Sequence, residues 1–233
     1  MIACYIIIGV ALGLTIWYIM AKSKKYDLKE LFLKIAISFL FMVVAIVASF
    51  SSGKFTLFNV FVIIGLLLGL LGDVFLDLKY VDRERENGYT YAGFIVFGIG
   101  HFMYMTALTL NYHNGSPLYI IFAILLALAL AVLPILLEKP LKLKYGKMKL
   151  ISFLYAICLF GTLSFSFLLA IENGFQITSL NMFLIGAALF VISDLVLSGT
   201  FFGEGKERPI DFILNYSTYY SAQFVIAFML LFA

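Results

Sequence analysis

Leu71-Gly72-Asp73-Val74-Phe75-Leu76-Asp77-Leu78, LGDVFLDL in one-letter code, closes an apolar run that begins at Leu57. Without its two carboxylates the run is an ordinary transmembrane span, since about 20 apolar residues at 1.5 Å each cross a hydrocarbon core of about 30 Å. Gly65, Gly69, Asp73 and Asp77 recur every four residues, so a helix places them in one stripe. Small residues in such a stripe either admit a neighbouring helix or leave room for a ligand. The stretch therefore predicts a membrane helix with acids at one end of a groove.

The rest of the chain agrees with this reading. Of its 233 residues 64% are hydrophobic and 12% charged, and the mean hydropathy is +1.07, far outside the range of a domain whose surface is wetted. Apolar runs recur at about 2–20, 31–50, 57–78, 91–111, 117–137, 149–171, 180–201 and 212–232. They are apolar all round, whereas barrel strands alternate over about ten residues. The expected fold is all-α: a polytopic bundle of eight transmembrane helices, read as a single membrane domain over residues 1–233. Ile2 to Met20 is followed, not preceded, by Lys22, Lys24 and Lys25, the reverse of a signal peptide, and reads as a retained helix. Cys4 and Cys158 lie in apolar runs without CxxC spacing, which gives no disulfide or thiolate metal pattern.

Basic residues orient the bundle. Lys22, Lys24, Lys25 and Lys29 follow the first run, and Lys79, Arg83 and Arg85 the third. Lys139, Lys142, Lys144, Lys147 and Lys149 follow the fifth, and Lys206 and Arg208 the seventh. Lys54 falls on the other side and Lys34 inside the second run. The positive-inside rule puts the four basic loops in the cytoplasm and both termini outside.

Polar side chains from several helices then converge at one depth. Asp73 and Asp194, in ISDLVLSG, each precede a cytoplasmic helix end by five to seven residues, roughly 7 to 10 Å. His101 and Tyr104 share a helical face, Ser152 and Tyr155 enter from the sixth run, and Tyr216, Tyr219, Tyr220 and Gln223 from the eighth. Ionisable groups inside a membrane are costly and usually face a cavity or a partner. Blander readings stand beside these. Asp77, next to the expected helix end, reads first as an interfacial acid solvated by headgroups or paired with Lys79 or Arg83. His101 can be a packing histidine bonded to a carbonyl or a Tyr, and His113 a solvated loop residue. A single intramembrane His is too few for a zinc site, so no metal or cofactor is expected. Ser193 beside Asp194 lacks a GxSxG context. Nucleotide loops and nucleic-acid patches are absent.

The segments LLGDVFLDL (Leu70 to Leu78), YAGFIVFGIGHFMY (Tyr91 to Tyr104), GAALFVISDLVL (Gly186 to Leu197) and YYSAQFVIA (Tyr219 to Ala227) resemble the motifs of the YhhN family of membrane proteins, which includes lysoplasmalogenases. The order and spacing cover the third to eighth runs. The resemblance implies hydrolysis of the vinyl ether bond of a lysoplasmalogen to a fatty aldehyde and glycerophosphoethanolamine or glycerophosphocholine. It implies Asp73 and Asp194 as the catalytic pair, with His101, Tyr104, Tyr155, Ser193, Tyr220, Gln223 and Asp77 as substrate contacts. A lysophospholipid and the surrounding lipids are then the partners, and a bacterial inner membrane the expected location. The loop Lys79 to Thr90 is longer and more charged than that pattern leads one to expect.

The chemistry suits buried acids. A vinyl ether resists base, but protonation of its β carbon gives an oxocarbenium ion that water captures. Burial disfavours a charged carboxyl and a nearby carboxylate disfavours it further, so one of a close pair can keep its proton while the other stabilises the cation. A chamber shared by Asp73 and Asp194 is therefore expected. The competing class is a proton-coupled transporter of lipid or small solutes, with the acids as relays; the runs show no matched pair of interrupted helices of the transporter kind.

Overall fold

The structure, a computed structural model, describes residues 1–21, 28–203 and 208–233. Lys22, Lys24, Lys25 and Lys206, which contribute to the charge pattern, lie outside the described residues. Among the described residues eight long helices follow one another: α1 (Ile2–Ala21), α2 (Leu28–Ser51), α3 (Leu57–Val81), α4 (Glu86–Tyr112), α5 (Pro117–Leu136), α6 (Lys149–Glu172), α7 (Thr178–Phe202) and α8 (Pro209–Phe228), the last prolonged by a 3-10 turn over Met229–Phe232. Among the described residues the one extended pairing is an isolated bridge between Leu143 and Gly203. The helices α1 to α7 are long and apolar enough to cross a membrane, which makes this a multi-pass membrane protein. In α8 the residues Asp211, Asn215, Ser217, Thr218 and three tyrosines dilute the apolar content.

Helix ends follow from local chemistry. Pro117 and Pro209 start α5 and α8 at the first helical position, where a missing N–H costs nothing. The backbone N–H of Thr56 donates to Asn59 Oδ1 at 2.9 Å before α3, and Asn59 Nδ2 donates to Ser49 Oγ at 3.2 Å, tying α3 to α2. Gly53 adopts φ 74° just past α2, a conformation that glycine takes without penalty.

One expectation is corrected here. The long loop from Lys79 to Thr90 is mostly helix: α3 runs on to Val81, a 3-10 turn occupies Arg83–Arg85, and α4 starts at Glu86. Charged side chains at a helix end reach water without ending the helix, so charge marked the loop too broadly. The extension deepens Asp73. It and Asp194 now each stand eight residues from the last residue of their helices, roughly 12 Å.

Glycines set the tightest contact, between α3 and α4. A Cβ on Gly65 would fall 2.3 Å from Tyr104 Cε1, one on Gly72 2.5 Å from Phe97, and one on Gly93 2.5 Å from Leu76. Of the two readings of the glycine stripe, helix contact holds, because the space beside Gly65 and Gly69 is filled by Tyr104 and Gln223. By contrast α5 packs chiefly on α6, which leaves a gap between α5 and α7 open to the side.

Candidate functional site

At the basic end of the bundle, where α3, α5 and α7 finish, the polar side chains fall into two groups. The first is a charged triad. Lys34 Nζ of α2 lies 2.8 Å from Asp77 Oδ1 and 3.3 Å from Asp73 Oδ1 of α3, and all three residues are 5% exposed or less. Asp73 Oδ2 accepts hydrogen bonds from Ser38 Oγ and from Tyr219 Oη, both at 2.7 Å. Gln223 Nε2 donates to Tyr219 Oη at 3.1 Å and so steadies the tyrosine. Tyr216 and Tyr220 complete an aromatic surround, with Lys34 Nζ 5.4 Å from the Tyr216 ring centre. Asp77 is thus not the interfacial acid expected from its position. It is buried and pairs with Lys34, because α3 continues past it and α2 brings an ammonium to the same depth.

The second group is a row of hydrogen bonds across α4, α6 and α7. The Tyr155 hydroxyl donates to Asp194 Oδ2 and lies 3.5 Å from His101 Nε2, while His101 Nδ1 lies 3.1 Å from Thr162 Oγ1. Thr162 Oγ1 is also 3.3 Å from the carbonyls of His101 and Cys158. The row can run in either direction. With Asp194 ionised, Thr162 donates to His101 Nδ1, His101 Nε2–H to Tyr155, and Tyr155 to the carboxylate. With Asp194 protonated every bond reverses and Thr162 donates to a carbonyl. The same heavy-atom positions serve both states.

Asp73 and Asp194 do not share an open chamber. The rings of Phe97 and Phe190 stand between the groups: Phe97 is 6.4 Å from Tyr219 and 6.5 Å from Tyr155, and Phe190 is 5.4 Å from Tyr219 and 4.8 Å from His101.

One cavity adjoins Asp194, and a second borders that cavity. A small pocket of about 70 Å³ has Asp194, Tyr155 and Ser152 among its walls, with Phe94, Phe201 and Phe202 around them. It shares Pro134, Tyr145, Phe160, Leu195 and Ser198 with a groove of about 500 Å³ that runs between α5 and α7 to Arg208 and Asp211 at the start of α8. The segment between α5 and α6 straps the basic end: Lys144 N–H donates to the Phe202 carbonyl at 2.7 Å, Tyr91 Oη to the Lys147 carbonyl at 2.9 Å, and Lys149 Nζ to Glu138 Oε2 at 2.6 Å. That last bond holds the Glu138 carboxyl below its ordinary range.

Of the expected substrate contacts, Tyr155 lines the small pocket and the others stand elsewhere. Tyr104 packs beneath Gly65 and against Phe183, its hydroxyl buried without a partner. Ser193 clasps α8, donating to the Asn215 carbonyl at 3.2 Å and receiving Asn215 Nδ2 at 2.9 Å. Tyr220, Gln223 and Asp77 belong to the surroundings of the triad, and His101 stands behind Tyr155. Lys34, Ser38 and Thr162 were not read from the sequence as site residues. A signal for the first two was present: Lys34 and Ser38 are four apart, as are Asp73 and Asp77, so two facing helices carry matching stripes. Among the described residues no cluster of three or more His, Cys, Asp or Glu is placed to hold a metal ion.

Neither the curated proteins nor the solved structures contain a match to this chain. A family model does match, over residues 30–230, which takes in α3 to α8, most of α2 and both polar groups. The chain belongs to the YhhN family.

Proposed function

We propose that the protein is a lysoplasmalogenase-type ether hydrolase, with α8 crossing as an eighth span, both termini outside and the site in the cytoplasmic half of the membrane. The observation that carries this reading is the placement of the Asp194–Tyr155 pair in the wall of a small apolar pocket that shares walls with the groove between α5 and α7. A single-chain lipid reaches such a pocket from the bilayer without leaving it.

Asp194 is the acid. Among the described residues no basic side chain lies in ion-pair range of it, and its hydrogen-bonded row accommodates both of its protonation states. It transfers its proton to the β carbon of the vinyl ether, and the charge appears as an oxocarbenium ion at the carbon bonded to oxygen. Water adds to that carbon and returns a proton to Asp194, giving a hemiacetal. The bond to the glycerol oxygen then breaks, that oxygen takes up the hydroxyl proton, and aldehyde and alcohol separate with one water consumed. Tyr155 holds the carboxyl, and His101 and Thr162 hold Tyr155. Asp73 acts from behind the phenylalanine layer: two carboxylates against one ammonium in the triad leave negative charge facing the cation, in surroundings where charge is weakly screened.

The test supplies an alkenyl lysolipid to the purified protein and measures aldehyde. Asp194→Asn is expected to lose about 100-fold or more in turnover, with helix content kept, and Asp73→Asn to lose turnover as well. Full activity in either variant removes that residue from the chemistry, and no aldehyde from the wild type removes the reading. Proton-coupled transport is the second reading. It is favoured by the buried Lys34–Asp73–Asp77 triad, which lines neither cavity, and it predicts proton flux in liposomes without product.

A further inference from the structure

In an apolar helix a serine or threonine hydroxyl commonly bonds the carbonyl three or four residues back, as Thr15 does to Ala11, Ser49 to Ala45 and Thr109 to Met105, at 2.8 to 2.9 Å. Ser152 does not. It stands in the first turn of α6 and is 9% exposed, and its buried hydroxyl has no hydrogen-bond partner among the described residues. It belongs to the wall of the small pocket, together with Asp194 and Tyr155. Ser164 is likewise unpartnered, but it lines neither cavity. A buried hydroxyl without a partner costs stability, so one in the wall of a reaction pocket is a site for a polar ligand. Asp194 adds an acceptor beside it: the Tyr155 hydroxyl takes Oδ2, and Oδ1 accepts no hydrogen bond among the described residues.

We infer that Ser152 is a further catalytic residue of this pocket, holding the water that captures the oxocarbenium ion; the inference rests on the hydrolase reading above. A lysolipid carries its own competitor for that water, the free glycerol hydroxyl on the carbon next to the one that bears the ether oxygen. Attack by this hydroxyl closes a five-membered cyclic acetal: its oxygen bonds the cationic carbon, its proton returns to Asp194, and no water is consumed. Well-oriented intramolecular reactions reach effective molarities of about 10⁵ to 10⁸ M, far above the concentration of water, so release of aldehyde requires a water fixed at the carbon. Ser152 Oγ accepts a hydrogen bond from one O–H of that water, and Asp194, having given its proton to the β carbon, accepts the other through Oδ1. A bond from the serine to the ether oxygen is ruled out by charge, since that oxygen turns positive and ceases to accept. Depth agrees as well. Helix α6 starts at the basic end, so Ser152 lies three residues nearer that end than Tyr155, roughly 4.5 Å, just as the carbon bonded to oxygen lies nearer the headgroup than the β carbon. The pocket of about 70 Å³ has room for one water, which needs roughly 10 to 15 Å³, beside the two reacting carbons.

The experiment supplies an alkenyl lysolipid to the full chain in lipid nanodiscs and measures two products by chromatography and mass spectrometry, the aldehyde and the cyclic acetal, the latter an isomer of the substrate. The wild type is expected to give aldehyde in large excess. Ser152→Ala lowers aldehyde release about 10-fold or more and raises the acetal to aldehyde ratio about tenfold, one hydrogen bond's worth. Ser152→Thr keeps the oxygen and holds the ratio near that of the wild type. Thermal unfolding separates this serine from one that supports the fold: Ser152→Ala unfolds no earlier than the wild type, because no bond within the protein is lost. An unchanged ratio in Ser152→Ala, an equal rise in Ser152→Thr, or a lowered melting temperature in Ser152→Ala overturns the inference, while aldehyde from the wild type upholds the hydrolase. Should the wild type give neither product, the hydrolase has failed and the inference falls with it.

Discussion

Lys34 shows how much one side chain can hide. A lysine inside an apolar run reads as a residue that extends its ammonium to the surface; here it is 5% exposed and joins two carboxylates. A broken buried ion pair costs about 3 to 5 kcal/mol, because the remaining charge is left without compensation. Lys34→Met is therefore expected to destabilise the protein by about that amount, and Lys34→Met combined with Asp73→Asn and Asp77→Asn to recover most of it. Thermal unfolding in detergent checks both. If the single variant is as stable as wild type, the triad is not the closed ion cluster described. Tyr155→Phe belongs to the same scale. It removes the donor to Asp194 and is expected to lower turnover about 10-fold to 100-fold while stability changes little, a contrast that separates the row from the triad.

Between elements, glycine decides where helices touch. Gly65 sits where Tyr104 crosses, and a methyl group there would overlap the ring. Overpacking of this kind costs about 1 to 3 kcal/mol, more than alanine's helical advantage of about 1 kcal/mol over glycine. Gly65→Ala is expected to lower the melting temperature, and the added change Tyr104→Leu to restore it. Gly98→Ala is the control, since its new Cβ meets only Cys158 Sγ at 3.9 Å; it is expected to be neutral or mildly stabilising. Equal losses at both glycines would show that the α3–α4 contact is looser than drawn.

For the whole molecule, orientation is the property that fixes which leaflet supplies the substrate. The described basic residues Lys79, Arg83, Arg85, Lys139, Lys142, Lys144, Lys147 and Lys149 lie at one end of the bundle, the end that also holds both polar groups and the mouth of the groove. With those loops in the cytoplasm, a cysteine placed at Lys147 is expected to react with an impermeant thiol reagent only after the membrane is opened, and one placed at Asn114 in intact cells. The native Cys4 and Cys158 are replaced by Ala in that background. The reverse pattern would put the site in the outer half and the substrate in the outer leaflet.

Residues such as Asp73, Asp194, His101 and Tyr155 could be singled out in the chain because a polar group in an apolar run stands out against the cost of burying it. Helix number, approximate boundaries and the all-α class followed from run length and the need to satisfy every backbone group within lipid. Which acid meets a cavity, and which is locked by an ammonium, depends on how helices rotate and cross. That is settled by side chains distant in sequence, such as Lys34 against Asp77, Phe97 against Tyr219 and Tyr104 against Gly65. Hydropathy records the preference of each residue for lipid and carries no information about which neighbour it will face, so the division of the polar residues into a sealed triad and an open pocket belongs to the tertiary structure alone.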